Sequence, residues 1–324
     1  MNYQSDRIYL CSRLNPNSPD ANNWGILKLT GEDRLRYLHN QSTNDFNSLH
    51  PKQGCQTVFV TSTARTLDLA TAYLTEDAVL ILVSPNRREK LFKWLDGFIF
   101  PFDKVKLTDS TQWGLLTLIG ESSDALIEEL FGINFKDKEN YTHQTVTFQD
   151  INLRIAKGSD LGLPGYNLII PQEHFEQIKS LLLDKQVTPI DDRDWEHLRI
   201  LQGRPAPDKE LTEDYNPLEA GLWQTISFEK GCYIGQETIA RLNTYDGVKQ
   251  KLWGVKLSDP VPPETPVTLE GKKVGILTSY TETDTGSFGL AYVRTKAGGA
   301  GSTVTVGEAI GELIELPFIT HSRD

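Results

Sequence analysis

After Tyr245 the character of the chain changes, and that change constrains the fold more than any other feature. Upstream, strand-like and helix-like patterns alternate. Downstream, Lys251–Leu257, Pro266–Leu269, Lys273–Tyr280, Gly286–Val293 and Ser302–Val306 read as short strands with no amphipathic helix between them. Glu270-Gly271 and Gly298–Gly301 supply turn chemistry, and a proline-rich segment, Pro260–Pro266, lies just inside. Regularly spaced short strands of this kind predict a small β-barrel or sandwich of roughly 75 residues, a size that folds as a unit.

Upstream, Trp24–Thr30 alternates apolar and polar residues and predicts a half-buried strand, followed by a helix over Asp33–Gln41. Strands are expected at Gln56–Thr61 and Thr66–Tyr73, joined by Ser62–Arg65, and at Asp77–Ser84. A helix from Pro85 to about Phe98 puts Leu91, Phe92 and Leu95 on one face. A second block repeats the style, with strands at Trp113–Ile119, Ile151–Ala156 and Tyr166–Ile170. Its helices are Ser123–Phe131, opened by a Ser-Ser-Asp cap, then Pro171–Asp184 and Asp191–Gln202. The 324 residues accommodate two or three such domains.

Charge and cysteine usage exclude several classes of function. Thirty-three Lys and Arg against 44 Asp and Glu give a formal charge of −11, which argues against a nucleic-acid coat, direct tRNA binding or a membrane-surface protein. Met1–Asn17 has no apolar run of the signal-peptide kind, and the longest apolar stretches are strand-length. A cytoplasmic chain is expected, and a mature organellar one reads the same. Cys11, Cys55 and Cys232 are odd in number and far apart, so they predict neither a disulfide framework nor a metal site. The six histidines are too dispersed for a helical ligand pair. No dinucleotide fingerprint, P-loop or nucleophile elbow is present.

The most unusual segment is Lys230-Gly231-Cys232-Tyr233-Ile234-Gly235-Gln236-Glu237. Gly231 and Gly235 allow positive φ or a close backbone approach to a ligand. A helix is expected from Gln236, and a cysteine just before a helix N-terminus and near Lys230 is placed where a thiolate is favoured. Glu237 suits the positive helix end and lies one turn from Arg241, within pairing reach. The bland alternative is a glycine-punctuated turn around an inert, buried cysteine. Residues 230–256 carry Lys230, Arg241, Lys249, Lys251 and Lys256 against Glu237 and Asp246, a local +3 on an acidic chain. That basic island reads either as a solvated face or as a site for an anion.

Together with Asn216-Pro217-Leu218-Glu219-Ala220-Gly221-Leu222, Ile226-Ser227-Phe228 and Ile239-Ala240-Arg241, this octapeptide resembles the signature of the YgfZ-type folate-binding proteins. These are relatives of the glycine-cleavage T-protein, a tetrahydrofolate-dependent aminomethyltransferase. The resemblance extends more weakly from about Trp24 to the C-terminal strands. It implies an α+β fold in a three-domain cloverleaf, with two interleaved α+β domains and a C-terminal β-barrel around an opening that accepts folate. The expected boundaries are 1–48 plus 108–190, 49–107 plus 191–245 with the motif, and 246–324. It also implies a cofactor, tetrahydrofolate or a derivative, and partners among iron–sulfur client proteins or assembly factors. The family supports iron–sulfur protein maturation or repair and, in bacteria, affects tRNA modification. Cys232 is then the functional thiol. A tetrahydrofolate-dependent one-carbon transferase is the alternative.

Carried over residue by residue, the resemblance implies folate contacts at Asp68, Glu219, Trp223, Lys230 and Arg241. Asp68 is the acidic residue on the strand matching the T-protein's acidic pair, and it either touches folate or faces solvent. Glu219 either serves folate or caps the turn after Pro217. Lys230 and Arg241 suit folate's carboxylates, with pairing to Glu229 and Glu237 as the alternative. Trp223 and Tyr233 either stack on a pteridine or belong to the core. The T-protein's pterin-binding glutamate aligns at Leu201, an apolar side chain that argues against aminomethyl transfer. No metal ligand set is expected.

Overall fold

The computed structural model describes residues 3–17, 24–284 and 286–322; Met1 and Asn2, part of the N-terminal stretch considered above, lie outside them. Strands β1 (Tyr9–Leu14) and β2 (Gly25–Thr30) precede helix α1 (Arg34–Gln41), and β3 (Gly54–Val60), β4 (Thr66–Leu74) and β5 (Ala78–Val83) lead to α2 (Arg88–Asp96). Then come β6 (Lys106–Asp109), β7 (Trp113–Ile119), α3 (Ser123–Phe131), β8 (His143–Phe148), β9 (Ile151–Lys157) and β10 (Gly165–Pro171). Helix α4 (Phe175–Leu183), β11 (Thr188–Ile190), α5 (Asp192–Gln202) and α6 (Gln236–Thr244) complete the mixed part. The rest is β12 (Gln250–Leu257), β13 (Pro266–Leu269), β14 (Lys272–Thr283), β15 (Gly286–Arg294), β16 (Thr303–Val306) and β17 (Ala309–Ile314).

The strands form a five-stranded sheet, β3-β4-β5-β2-β6, a six-stranded sheet, β11-β1-β7-β10-β9-β8, and a closed barrel, β12-β15-β14-β13-β16-β17. The chain divides into two compact units, one of Tyr3–Thr57 with Ala70–Trp195, the other of Val58–Leu69 with the chain from Glu196 onward. Strands β3 and β4 therefore each contribute residues to both.

In the Tyr3–Thr57 and Ala70–Trp195 unit, period-two alternation sets one face of the six-stranded sheet against helices. Leu116 and Leu118 of β7, Leu153 and Ile155 of β9, and Leu168 and Ile170 of β10 pack with Leu126, Ile127 and Phe131 of α3 and Phe175, Ile178 and Leu182 of α4. The α3 cap differs from expectation: Ser122 occupies the N-cap without a side-chain bond, and Ser123 instead donates through Oγ to the Gly120 carbonyl at 2.5 Å. The expected Pro171–Asp184 helix begins as a 3-10 turn over Gln172–His174 before α4. A charge is also buried here. The Arg13 guanidinium lies 3.6 Å from the Trp24 ring centre and 4.5 Å from that of Trp195, and donates through Nη1 to Asp160 at 2.6 Å.

In the other unit, the hairpin Val58–Leu69 joins the barrel region. Val58, Val60 and Leu69 pack with Ile200, Leu211, Ala220, Leu222, Leu290 and Tyr292. The barrel interior holds Val255, Leu277, Ala291, Val293, Val306 and Leu313. Its β13–β14 hairpin turns on Glu270 and Gly271, with φ of 51° and 75°, the two positive values that a type I′ turn requires. Closure by β17, which the sequence pattern did not reveal, removes the exposed edges that a five-stranded sandwich would leave. A buried ion cluster links α5 to the barrel. Arg199 donates to Glu210 at 2.9 Å, to Glu196 at 2.5 Å and to Ser279 Oγ at 2.8 Å, and Lys209 also pairs with Glu196. Those cations hold the Glu196 carboxyl, against the cost of its burial, down at about 2.

Candidate functional site: the Cys232 loop

The loop before α6 is built by burial of its neighbours. Tyr233 sits in an apolar cluster with Ala64, Leu218, Ile226, Ile239 and Val248, against which Trp223, Phe228 and Leu242 also pack. Burial raises the Tyr233 phenol to about 12. The Lys230 ammonium lies 4.7 Å from the Tyr233 ring centre, so a mostly buried lysine is stabilised by the ring face. Between these two buried residues Cys232 is exposed, whereas Cys11 is buried and Cys55 half-buried. Burial pushes the Cys11 thiol to about 12. Cys232 is therefore not the buried cysteine of the bland alternative.

Of the two motif glycines, Gly235 takes positive φ (81°) as the N-cap of α6. A Cβ there would lie 2.9 Å from the Thr61 carbonyl oxygen, 3.0 Å from Val60 Cγ2 and 3.1 Å from Ala64 Cα. Gly235 is thus required because the tip of the β3–β4 hairpin abuts the helix start. Gln236 opens α6 as expected, and Ile239 anchors it. Glu237 and Arg241 are exposed near opposite ends of α6, each suiting the helix dipole. Among the described residues no ion pair joins them. Two solvated charges at that spacing gain little from contact.

Asp68 departs from the solvent-facing alternative. Every residue of β4 is buried, and Asp68 is 0% exposed. Glu219 caps its own turn: Asn216 N–H donates to Glu219 Oε2 at 3.1 Å, while Asn216 Oδ1 accepts from the N–H groups of Leu218 and Glu219, each at 3.0 Å. This reciprocal arrangement is a capping box. Burial raises the Glu219 carboxyl above its ordinary range, opposed by the Asn216 bond and the charge of Arg65.

Tyr233 is a core residue, and the half-buried Trp223 packs against its cluster, tilted 31° against Phe228 at 5.9 Å between ring centres. The Trp223 indole N–H is buried and makes no hydrogen bond among the described residues. A cavity of about 260 Å³ opens beside it, lined also by Ser227, Phe228, Glu229 and Thr320. Leu201 at the end of α5 packs against the hairpin–barrel core and offers no carboxylate. The basic island disperses: Lys230 is buried, Lys251 donates to the His321 carbonyl at 3.2 Å, and Lys256 lies about 17 Å further along β12. Among the described residues no cluster of metal-binding side chains occurs.

A mixed α+β chain with this closed C-terminal barrel has the fold of the glycine-cleavage aminomethyltransferases. The crystal structure of glycine cleavage system aminomethyltransferase T from Bartonella henselae superimposes with a TM-score of 0.83 at 18% identity, covering 98% of this chain and 88% of that one. Residues 17–230 match the GCVT N-terminal domain and residues 249–314 the CAF17 C-terminal β-barrel domain, and the chain belongs to the GCVT N-terminal domain family. A chloroplastic protein of Arabidopsis thaliana, provisionally named a transferase, is 42% identical over 94% of this chain and 71% of its own length. The aminomethyltransferase of Halothermothrix orenii is 26% identical, with 93% and 87% covered. That of Listeria monocytogenes strain F2365 is 25% identical, with 94% and 86% covered. Among the described residues no helix is long and apolar enough to cross a membrane.

Proposed function

We propose that this chain is a folate-binding protein of the YgfZ type, in which Cys232 is the functional thiol and tetrahydrofolate the ligand. The observation that carries this reading is the exposed Cys232 held between buried Lys230 and Tyr233. An exposed cysteine contributes little to stability and is open to a reaction partner, which supports a role for its thiol. The available donor set suits a folate. Asp68 and Glu219 are buried carboxyls of the kind that accept from a pteridine's N–H edge, and Arg241 is an exposed guanidinium suited to the glutamate tail. Bound tetrahydrofolate supplies the nitrogen atoms that carry one-carbon units. Lys230, engaged with Tyr233, positions the Cys232 loop rather than the ligand.

Support of iron–sulfur protein maturation or repair, with an effect on tRNA modification through iron–sulfur enzymes, belongs to this reading. So does placement in the cytoplasm or an organelle matrix. A one-carbon transferase is the second reading, favoured by the aminomethyltransferase names of several relatives and disfavoured by the apolar Leu201. The test is titration of tetrahydrofolate into wild type, Arg241→Ala and Cys232→Ala, with the activity of an iron–sulfur enzyme measured in cells carrying each variant. Arg241→Ala is expected to weaken binding by about tenfold, the scale of one charge-assisted pair. Cys232→Ala is expected to stay folded, bind folate and lose the cellular activity. Full activity of folded Cys232→Ala refutes the thiol's role, and turnover of an aminomethyl donor establishes the transferase.

A further inference from the structure

A cavity of about 140 Å³ lies within the Tyr3–Thr57 and Ala70–Trp195 unit, between a row of the six-stranded sheet and a row of the five-stranded one. On the first, Thr145, Arg154 and Ile169 are directly opposite one another across β8, β9 and β10. On the second, Lys28 of β2 faces Leu80 of β5. Cross-strand partners share a face, so each row presents its side chains together. Asp77 and Trp113 complete the walls.

The arrangement of Arg154 is unusual. A half-buried guanidinium is ordinarily neutralised by a carboxylate, but Arg154 Nη1 donates to His143 Nδ1 at 2.7 Å. His143 Nδ1 must then be an acceptor, which leaves the ring proton on Nε2, bonded to the Gln53 carbonyl at 3.2 Å. The buried imidazole is neutral, wedged edge-on against Tyr73 at 5.3 Å. It fixes the arginine's direction without cancelling its charge. Nearby Asp77 accepts from Thr75 Oγ1 at 2.9 Å and also feels the charges of Lys28 and Arg34, the latter donating through Nη1 and Nη2 to the Gly31 and Glu76 carbonyls. Lys28 and Arg154 against Asp77 leave the cavity with one net positive charge. An oriented guanidinium fork, a second cation, one hydrogen-bond acceptor and an apolar floor form a binding constellation and not a packing remainder.

We propose that this cavity binds a small organic carboxylate of about five non-hydrogen atoms, set by the volume of the space relative to about 30 Å³ per water. Its carboxylate lies on Arg154 and Lys28, its hydroxyl or amino donor is directed at Asp77, and its carbon body rests on Leu80 and Ile169. His143 is the positioning residue.

Lactate, glycine and inorganic phosphate, titrated separately by calorimetry into the full chain, test it. Lactate or glycine is expected to bind with one-to-one stoichiometry and a Kd on the order of 1 mM, as the size of such ligands allows. Arg154→Gln and Lys28→Gln should each weaken that binding by about tenfold. Lys28 is half-buried on a strand face, so Lys28→Gln decides the matter even if Arg154→Gln fails to fold. No saturable binding of either carboxylate, undiminished binding in folded Lys28→Gln, or binding of phosphate alone would overturn the proposal.

Discussion

Replacing Gly235 by alanine separates two costs that the structure makes countable. The first is the backbone. At φ 81° an L-residue is in the left-handed region, which costs roughly 1–2 kcal/mol. The second is steric, since the new methyl would lie 2.9 Å from the Thr61 carbonyl oxygen and 3.1 Å from Ala64 Cα, both main-chain atoms. Relieving such contacts costs about 1–3 kcal/mol, for a sum of about 2–5 kcal/mol. Gly271 is the control: its φ is 75°, yet nothing lies within 4 Å of its Cβ position. Gly271→Ala therefore carries only the backbone cost, and both variants gain alike from a stiffer unfolded chain. Both residues belong to the unit built on Val58–Leu69 and the barrel, so one denaturant transition reports on both even if the two units melt separately. Urea unfolding should give Gly235→Ala a free energy about 1–3 kcal/mol below that of Gly271→Ala, with a correspondingly lower midpoint. Equal midpoints would refute the claim that the hairpin tip fixes the Cys232 loop.

Two further outcomes are expected. His143 is held neutral, its pKa lowered to about 4 by burial and the Arg154 charge, against about 6.5 unfolded. The unfolded chain thus binds the extra proton first, so stability is complete above about pH 6.5 and falls by about 3 kcal/mol as pH drops towards 4. Thermal melts across that range, compared with His143→Gln, should show a slope that the variant loses. Arg199→Met strands Glu210, whose side chain is 0% exposed, and should cost about 3–5 kcal/mol in urea unfolding. Adding Glu210→Gln should recover part of that loss, because the uncompensated charge is removed.

Elements with strong periodicity were legible from residues alone: β7, α3 and β13 lie at the expected bounds. Weakly patterned strands were not. After a buried His143, β8 alternates half-buried and exposed positions in the polar string His-Gln-Thr-Val-Thr-Phe, and β11 is three residues long with a central proline. Both are fixed by their neighbours in the sheet, which local pattern does not encode. The Cys232 loop was legible because two glycines bracket a cysteine and a tyrosine beside a lysine, just before a helix start. Asp68 was not, since period two reports which face a side chain takes but not whether that face is covered. Glu237 and Arg241 went the opposite way: helix spacing permits a pair, yet both side chains lie in solvent and none is found among the described residues.

The division of β3 and β4 between the two units has a consequence for synthesis. When Trp195 has been added, every residue of one unit exists, while the hairpin Val58–Leu69 belongs to a unit whose remaining chain has not been made. Val58, Val60 and Leu69 must wait for Ile200, Leu211, Leu222 and finally Leu290 and Phe318. At about 5–20 residues per second that interval is on the order of ten seconds. For that time the apolar side chains of the hairpin lack the partners that bury them in the finished chain.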